Sequence, residues 1–508
     1  MPDPLSHPSR PWLAARARTD PDALALRHGE HALSHGALAA RVENLAGRLA
    51  ALGMRPGDRL AVLMEGSCRL VELLHAAQRI GAAILPVNTR LAPPEVASII
   101  ADAAPRLLLC DRHRGQVLAD AMPHVGSPRI IDAHDQLDAT PLATPPPLPT
   151  LDPDAVCTVL YTSGTTGRPK GVMLTNANHA ASAAASRANL GVVAGDRWLA
   201  ALPLYHVGGL SIVLRGVLDG VPVILHDRFD PARVSDAIRH EGVTLVSLVP
   251  TMLQRLLDHE GDRPFPESLR CVLVGGGPIP TTLVERALAC GVPIIPTYGL
   301  TEAASQVATA APGDATNWPE SAGKPLAGLL VRIADPDASG CGEILVQGAT
   351  VMAGYLGQPE ATARCLRDGW LHTGDVGRLD HEGRLYVLER RTDLIVTGGE
   401  NVYPAEVEAA LRAHPAVADA AVYGQSDPEW GQRVVAAVVR RAGHDVDEPT
   451  LRAWCRTRLA GYKIPHAIAF VHELPRTTSG KLRRHLLAEV SPGGESGGTA
   501  SATVRAPS

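Results

Sequence analysis

Residues Val156–Lys170 read VCTVLYTSGTTGRPK, a continuous apolar run that leads directly into the most Gly/Thr-rich loop of the chain. Short Val/Leu/Ile-rich runs of the same kind recur at Arg59–Met64, Ala83–Asn88, Arg106–Cys110, Val221–Leu225, Thr244–Val249 and Cys271–Val274. Amphipathic helical patterns, such as Leu70–Gly81, lie between several of these runs. Continuous apolar strands that alternate with helices predict a parallel sheet covered on both faces. The predicted fold class is therefore α/β.

The pattern of apolar and charged residues changes after about Leu388. A charged segment leads to Gly398 and Gly399, and a helix is predicted to begin at Pro404, a favourable first-turn residue. The residues that follow predict a small α+β unit, and the polar, Gly-rich end of the chain predicts a disordered tail. We therefore expect domains over residues 1–390 and 391–490 and a tail over residues 491–508.

Composition and charge exclude several classes of protein. The 508 residues carry a net charge of −5 with no long basic run, so neither nucleic acid nor a membrane surface is an expected partner. No run approaches the roughly 18 apolar residues that span a bilayer, and the first residues lack the apolar segment of a signal peptide. The 8 cysteines are far apart without a CxxC pair, which favours reduced thiols over disulfides or a zinc site. These features predict a cytoplasmic protein, and they are compatible with a homo-oligomer.

The loop after the first quoted strand is a candidate phosphate site. Small hydroxyl residues and glycines let backbone N–H and side-chain O–H groups approach a phosphate chain, and a lysine adds positive charge. Arg168 and Pro169 separate the last glycine from that lysine, so the loop is not a Walker A motif. A flexible Gly/Thr loop is the alternative. The candidate residues are Thr162, Ser163, Gly164, Thr165, Thr166, Gly167 and Lys170.

A second candidate, Tyr298–Glu302 (YGLTE), follows an apolar strand. Tyr298, followed by the small turn residue Gly299, suits an adenine face. The hydroxyl of Thr301 suits an α-phosphate, and the carboxylate of Glu302 suits Mg²⁺. The alternative is an ordinary strand-to-helix turn in which Thr301 caps the helix.

Two further polar loops could complete a nucleotide site. Leu371–Asp375 (LHTGD) places Asp375 in a turn, where a carboxylate could accept both ribose hydroxyls, and Arg390 could reach the same sugar. Pro475–Lys481 (PRTTSGK) offers Lys481 on a loop that could deliver an ammonium group to a phosphate for one step. A structural turn and a solvated surface lysine are the alternatives.

Further candidates are His206, in PLYHVGG, as a catalytic residue of the acyl pocket, and Gly275, Gly276 and Gly277, after the strand Cys271–Val274, near the acyl pocket and the nucleotide. A hydrogen-bonded structural histidine is the alternative for His206.

Five motifs in this order, TSGTTGRPK, YGLTE, HTGD, ERRTD…GGENVYP and PRTTSGK, resemble those of the adenylate-forming superfamily of acyl-CoA synthetases, adenylation domains and luciferases. The resemblance covers about residues 10–488. It implies a large N-terminal domain of layered βα subdomains, a small mobile C-terminal domain and an active site between them. It also implies an AMP-forming acid–thiol ligase that uses ATP, Mg²⁺ and coenzyme A to activate a small carboxylic acid as an acyl-adenylate.

The resemblance assigns nucleotide roles residue by residue. Lys170 and its loop would hold pyrophosphate, Thr301 would contact phosphate and Glu302 would help to bind Mg²⁺. Asp375 and Arg390 would bind the ribose.

The resemblance also implies a domain movement. The small domain would swing to remove Lys481, the adenylation catalyst, and to bring Gly398 and Gly399 to a thiol channel. Trp430 could stack on the coenzyme A adenine, with a partly exposed packing role as the alternative. Thr392 falls at the hinge, where many relatives carry Asp or Lys, and this departure leaves the behaviour of the hinge open.

Segments such as Leu202–Asp230 and Val249–Leu257 resemble the o-succinylbenzoate–CoA ligases of menaquinone biosynthesis. The expected acid is therefore 2-succinylbenzoate, bound near His206, with Arg215 as counter-charge for its second carboxylate. A snorkelling arginine is the alternative for Arg215. Another aryl- or fatty-acyl-CoA ligase, or an adenylation enzyme that loads a carrier protein, would share the nucleotide motifs.

Overall fold

The computed structural model describes residues 10–121, 128–148, 150–163, 169–389, 394–475 and 487. Up to residue 139 the helices are α1 (Trp12–Thr19), α2 (His35–Ala51), α3 (Cys68–Ile80), α4 (Pro93–Ala103), α5 (Arg112–Ala121) and α6 (Asp135–Ala139). The strands of this part are β1 (Leu24–His28), β2 (His31–Ser34), β3 (Arg59–Leu63), β4 (Ala83–Pro86), β5 (Leu107–Cys110) and β6 (Arg129–Asp132).

Helix α3 shows how the local sequence sets these bounds. The side chain of Ser67 accepts a hydrogen bond from the backbone N–H of Leu70 and caps the first turn. Gly81 ends the helix with a φ of +85°, a left-handed conformation that a residue with a Cβ rarely adopts.

The central part of the chain continues the alternation of strands and helices. Its strands are β7 (Val156–Ser163), β8 (Pro169–Thr175), β9 (Trp198–Ala200), β10 (Val223–Leu225), β11 (Leu245–Leu248), β12 (Cys271–Val274), β13 (Ile294–Leu300) and β14 (Ser305–Thr309). Its helices are α7 (Asn176–Leu190), α8 (Val207–Asp219), α9 (Pro231–His240), α10 (Pro250–Glu260) and α11 (Thr281–Ala289).

A third part of the large domain is mostly strand. It contains β15 (Lys324–Pro325), β16 (Leu329–Ala334), β17 (Gly342–Gly348), β18 (Gly354–Tyr355), α12 (Pro359–Cys365), β19 (Leu366–Arg367), β20 (Trp370–Leu379) and β21 (Leu385–Glu389). Strands β16, β17, β20, β19 and β21 form a five-stranded antiparallel sheet.

The buried strands form two large sheets. The nine-stranded sheet has the order β15-β14-β13-β12-β11-β9-β10-β1-β2, and the seven-stranded sheet has the order β18-β8-β7-β4-β3-β5-β6. The inner pairs of both sheets, such as β11·β12 and β3·β4, are parallel. The edge strands β2, β15 and β18 pair antiparallel, whereas the edge strand β6 pairs parallel with β5. One continuous core of buried side chains, Leu60 and Ile295 among them, joins the two sheets. The predicted layered α/β architecture is confirmed.

The small C-terminal unit has its own sheet and core. It consists of β22 (Ile395–Thr397), β23 (Glu400–Val402), α13 (Pro404–Arg412), β24 (Val417–Asp427), β25 (Gly431–Arg440), α14 (Glu448–Arg456) and β26 (Ala467–Phe470). Helix α13 begins at Pro404 as predicted, and its Val407 and Leu411 are buried in this core. No helix in the described ranges is long and apolar enough to cross a membrane. The 8 cysteines are all free thiols.

Candidate active site

A cavity of about 670 Å³ lies at the carboxyl ends of parallel strands from both large sheets. Strands β4 and β7 of one sheet and β9, β11, β12 and β13 of the other end at its wall. Open α/β sheets bind their ligands at this edge. Most of the predicted residues that the structure describes line the cavity: Thr162, Lys170, His206, Arg215, Gly275, Gly276, Gly299, Thr301, Glu302, Asp375, Gly398 and Gly399.

Other predicted residues either do not line the cavity or lie outside the described ranges. A Cβ on Gly277 would lie 3.4 Å from Val396 of β22, so Gly277 faces the small domain and not the cavity. Trp430 is 40% exposed and its ring covers Gly398. Several predicted residues lie outside the described ranges, where their roles stay predictions: Gly164, Thr165, Thr166, Gly167, Arg390, Thr392, Lys481 and the side chain of Ser163.

Lys170 is brought to the cavity by a hairpin. Strands β7 and β8 pair antiparallel, with Thr162 opposite Lys170 beside the connecting loop. The Nζ atom of Lys170 lies 5.0 Å from the centroid of the Tyr355 ring, which is a cation–π distance. A lysine at the base of a loop of small residues has the charge and the reach to bind a phosphate chain.

Glu302 lies in a tight turn at the end of β13. The strand extends through Leu300 and is followed by a single 3₁₀ turn that no side chain caps, so the alternative of Thr301 as a helix cap is wrong. The hydroxyl of Tyr355 donates a hydrogen bond to Oε1 of Glu302 at 2.9 Å. Burial, reinforced by the charge of Glu302, raises the pKa of the Tyr355 hydroxyl far above its ordinary value, so it remains a proton donor.

Asp375 and Tyr298 are joined by a short hydrogen bond. The hydroxyl of Tyr298 donates to Oδ2 of Asp375 at 2.7 Å, and both side chains are buried. The Thr373 hydroxyl accepts a bond from the Asp375 backbone N–H and fixes the turn. Gly299 is required beside Tyr298 because a Cβ there would collide with the carbonyl oxygen of Ser305. Tyr298 therefore holds the predicted ribose ligand, a contact that its position in the sequence does not reveal.

The acidic groups fit a metal ion that arrives with a nucleotide. No cluster of three or more His, Cys, Asp or Glu in the described part of the chain is arranged to hold a metal ion by itself. Mg²⁺ is typically bound through one or two carboxylates together with substrate phosphates and water. Glu302 lines the same cavity as Lys170 and Thr301, so it can supply one such carboxylate beside a bound phosphate chain.

Arg215 of helix α8 lines the cavity. Helix α8 holds it 2% exposed, so it does not reach the surface and the snorkelling alternative is wrong. Its Nη2 donates to the Ser182 hydroxyl at 3.1 Å, and its guanidinium lies 5.8 Å from the Trp198 ring. Burial lowers the pKa of Arg215 to about 10, although the nearby Asp219 opposes this shift. The group therefore remains a buried cation at neutral pH.

Glu400, next to the two cavity glycines, links the domains. Its carboxylate lies 3.1 Å from Nε2 of His206 and 3.1 Å from Nη1 of Arg90, and Asn88 donates a longer bond to it. Burial alone would raise the pKa of Glu400. The charges and hydrogen bonds of His206 and Arg90 outweigh burial and leave that pKa below its ordinary value.

Lys463 forms a second link between the domains. Its Nζ lies 2.6 Å from Glu95 in α4 and 2.8 Å from Glu406 in α13, and all three side chains are buried. Burial favours the neutral amine, but the two carboxylates outweigh it and raise the pKa of Lys463. The two links fix the small domain with its glycine turn against the cavity.

Comparison with known proteins agrees with this geometry. Residues 13–356 match the family described as AMP-binding enzyme, and residues 406–481 match the family described as AMP-binding enzyme C-terminal domain. This chain belongs to the AMP-binding enzyme family. Among curated AMP-binding enzymes, the 2-succinylbenzoate–CoA ligase of Geobacillus sp. (strain WCH70) is 43% identical over 491 residues, which cover 96% of this chain and 98% of that protein.

Two solved structures of an AMP-binding enzyme, the o-succinylbenzoate CoA synthetase of Bacillus subtilis, differ in their likeness to this chain. A double mutant bound to the product analogue OSB-NCoA has a TM-score of 0.89, with 39% identity over 94% of this chain and 98% of that one. The complex with the acyl-adenylate OSB-AMP has a TM-score of 0.73, with 39% identity over 96% and 99%. Because identity and coverage are nearly equal, the domains of this chain are arranged more like those of the product-analogue complex.

Sequence reasoning missed three residues of the cavity lining. Tyr355, Glu400 and Lys463 all line the cavity. Glu400 stands inside the GGENVYP motif, which could have drawn attention to it, whereas Tyr355 and Lys463 lie in segments that carried no chemical signal.

Proposed function

We propose that this chain joins 2-succinylbenzoate to coenzyme A through an acyl-adenylate, with ATP as the activating substrate. The observation that carries the proposal is the convergence of Lys170, Thr301, Glu302 and Asp375 on one cavity, although they are far apart along the chain. Likeness to 2-succinylbenzoate–CoA ligases over nearly the whole chain supports the choice of acid.

The first step makes the acid a better acyl donor. A carboxylate cannot expel oxide, but attack of its oxygen on the α-phosphate of ATP forms the acyl-adenylate and releases pyrophosphate. Lys170 and Thr301 would hold the phosphates, and Glu302 would hold Mg²⁺, which offsets the repulsion between the reacting anions. Asp375, fixed by Tyr298, would accept the ribose hydroxyls, and Lys481 would supply a further cation.

The second step transfers the acyl group to a thiol. The sulfur of coenzyme A attacks the acyl carbon and AMP leaves. A Cβ on Gly399 would lie 3.1 Å from Val249 of the large domain, and one on Gly398 would lie 2.8 Å from the Trp430 ring, so neither position has room for a side chain. We propose that the pantetheine arm enters along these glycines and that Trp430 contacts the adenine.

The acid would lie between His206 and Arg215. Succinylbenzoate carries a second carboxylate that does not react, and that group needs a cation when it is desolvated. Arg215 is buried, lines the cavity and forms no ion pair within the described ranges. It therefore supports a role as counter-charge for this carboxylate.

We also propose that the two domains span residues 1–390 and 391–490, that residues 491–508 form a tail, and that the protein is cytoplasmic. Likeness to the product-analogue complex supports the assignment of this domain arrangement to the thiol-transfer step, and the small domain would rotate away for adenylation.

Pyrophosphate release in the presence of ATP and a panel of aromatic and aliphatic acids tests the proposal. Among the acids of the panel, we expect only succinylbenzoate to cause rapid release of pyrophosphate. We expect acyl-CoA to form only when coenzyme A is added. A flat response across the panel would contradict the choice of acid. Thioester formation on a carrier protein but not on coenzyme A would instead indicate a carrier-loading enzyme.

A further inference from the structure

Tyr355 lies in a short segment that is bonded to two elements of the cavity lining, strand β8 and the turn of Glu302. Strand β18 pairs antiparallel with β8, with Tyr355 opposite Val172. The backbone N–H of Leu356 bonds to the carbonyl of Gly171, next to Lys170, and the backbone N–H of Met352 bonds to the carbonyl of Glu302. A segment of five residues thus ties the strand of Lys170 to the turn of Glu302.

The side chain of Tyr355 connects the same two elements, through Glu302 and Lys170. Its hydroxyl donates to Oε1 of Glu302 at 2.9 Å, because an ionised carboxylate can only accept. Its ring face lies 5.0 Å from the ammonium of Lys170. One rigid side chain therefore contacts the carboxylate and the ammonium that are the proposed ligands of Mg²⁺ and of the phosphates.

The position of Tyr355 is itself fixed. The ring is 9% exposed and packs in the main core. The backbone N–H of Tyr355 donates to the Thr362 hydroxyl at 2.9 Å, and the preceding Gly354 is required because a Cβ there would lie 2.8 Å from Thr362. The phenol has little freedom to leave Glu302.

We propose that Tyr355 is a positioning residue for MgATP: its hydroxyl holds Oε1 of Glu302, so that the second carboxylate oxygen would bind Mg²⁺. This inference rests on the proposed function, since it takes Glu302 as the Mg²⁺ ligand. A carboxylate with one oxygen already bonded has fewer orientations to lose when the metal ion binds, so the hydroxyl increases affinity without touching the substrate.

A purely structural role makes a different prediction. Tyr355→Phe keeps the ring, its packing and its contact with Lys170, and removes only the hydroxyl. If Tyr355 served only to pack the core, this variant would bind MgATP like the parent protein.

Calorimetric titration without any acid substrate separates the two roles. For Tyr355→Phe we expect the Kd of MgATP to rise about fivefold, because the Glu302 side chain must then be ordered when the metal ion binds. The Kd of AMP, which has neither the terminal phosphates nor a metal ion, should change less than about twofold. Tyr386→Phe, a hydroxyl deletion on β21 outside the cavity lining, is the matched control and should leave both constants unchanged.

A double-mutant cycle tests whether the hydroxyl acts through Glu302. In a Glu302→Ala background, Tyr355→Phe should have no further effect on MgATP affinity. An unchanged MgATP Kd in Tyr355→Phe, an equal loss of AMP affinity, or a full effect without Glu302 would each overturn the inference. Failure of the proposed function would look different, since the parent protein would bind MgATP but release no pyrophosphate with succinylbenzoate.

Discussion

The Nε2 atom of His206 lies 3.1 Å from Oε2 of Glu400, and this contact joins the lining of the cavity in the large domain to the small domain. His206 follows the Pro203–Tyr205 turn of the large domain, whereas Glu400 begins β23 of the small domain. The two side chains can therefore meet only in the arrangement of domains that brings Gly398 and Gly399 to the cavity.

Glu400→Gln should slow thioester formation more than adenylation. The substitution keeps the shape of the side chain but removes the charge that faces His206 and Arg90. Loss of such a charge-assisted contact is worth about 1.5–3 kcal/mol, or about tenfold or more in rate. Single-turnover measurements of acyl-CoA formation from supplied acyl-adenylate would show the loss, and an equal slowing of pyrophosphate release would contradict a role confined to this arrangement.

The contact between the domains should weaken in acid. The pKa of Glu400 is lowered from 4.5 in the closed arrangement, so its carboxylate stabilises that arrangement above about pH 4.5 and the contribution is lost as the pH falls through the lowered pKa. Energy transfer between dyes on the two domains should report this opening. Glu400→Gln is the control, and its energy transfer should respond less than that of the parent protein over this pH range, because only the second link at Lys463 remains.

Lys481→Ala should nearly abolish adenylation and spare thioester formation. Lys481 is expected to stabilise the charge on the α-phosphate only in the first step, and removal of such a group costs about 100-fold or more. The two half-reactions can be followed separately, as pyrophosphate release and as acyl-CoA formation from supplied acyl-adenylate. Equal loss of both would count against the separation into two steps.

Arg215→Leu should raise the KM for succinylbenzoate by about tenfold or more, because a charge-assisted bond of about 1.5–3 kcal/mol is removed. An aromatic acid without the second carboxylate is the matched control substrate, and its much weaker turnover should change little. An unchanged KM for succinylbenzoate would remove Arg215 from the acid site.

The motifs that could be predicted share a simple physical basis. Lys170, Glu302 and Asp375 each lie in a contiguous polar segment beside an apolar strand, and strand ends of an α/β sheet meet at one edge. The alternation of strands and helices likewise indicated the fold class. The division of the strands into two sheets was not predictable, because pairs such as β1 with β10 join segments about 200 residues apart.

The contacts that support the site residues could not be predicted either, because they also join segments that are far apart in sequence. Tyr355 meets Glu302, Lys463 meets Glu95 and Glu400 meets His206 across long separations in sequence. A single sequence does not indicate which distant polar groups will face each other once the domains pack. Tyr298 shows the limit within a motif, because its hydroxyl bond to Asp375 depends on how β13 lies against β20.

The most direct test of the acyl-adenylate mechanism follows the oxygen atoms. Succinylbenzoate labelled with heavy oxygen in its reacting carboxylate would be converted in a single turnover with ATP and coenzyme A, and the AMP analysed by mass spectrometry. The mechanism predicts one labelled oxygen in AMP, because the carboxylate oxygen attacks the α-phosphate and stays on it when the thiol displaces AMP. AMP without label, or label in phosphate released together with ADP, would contradict it.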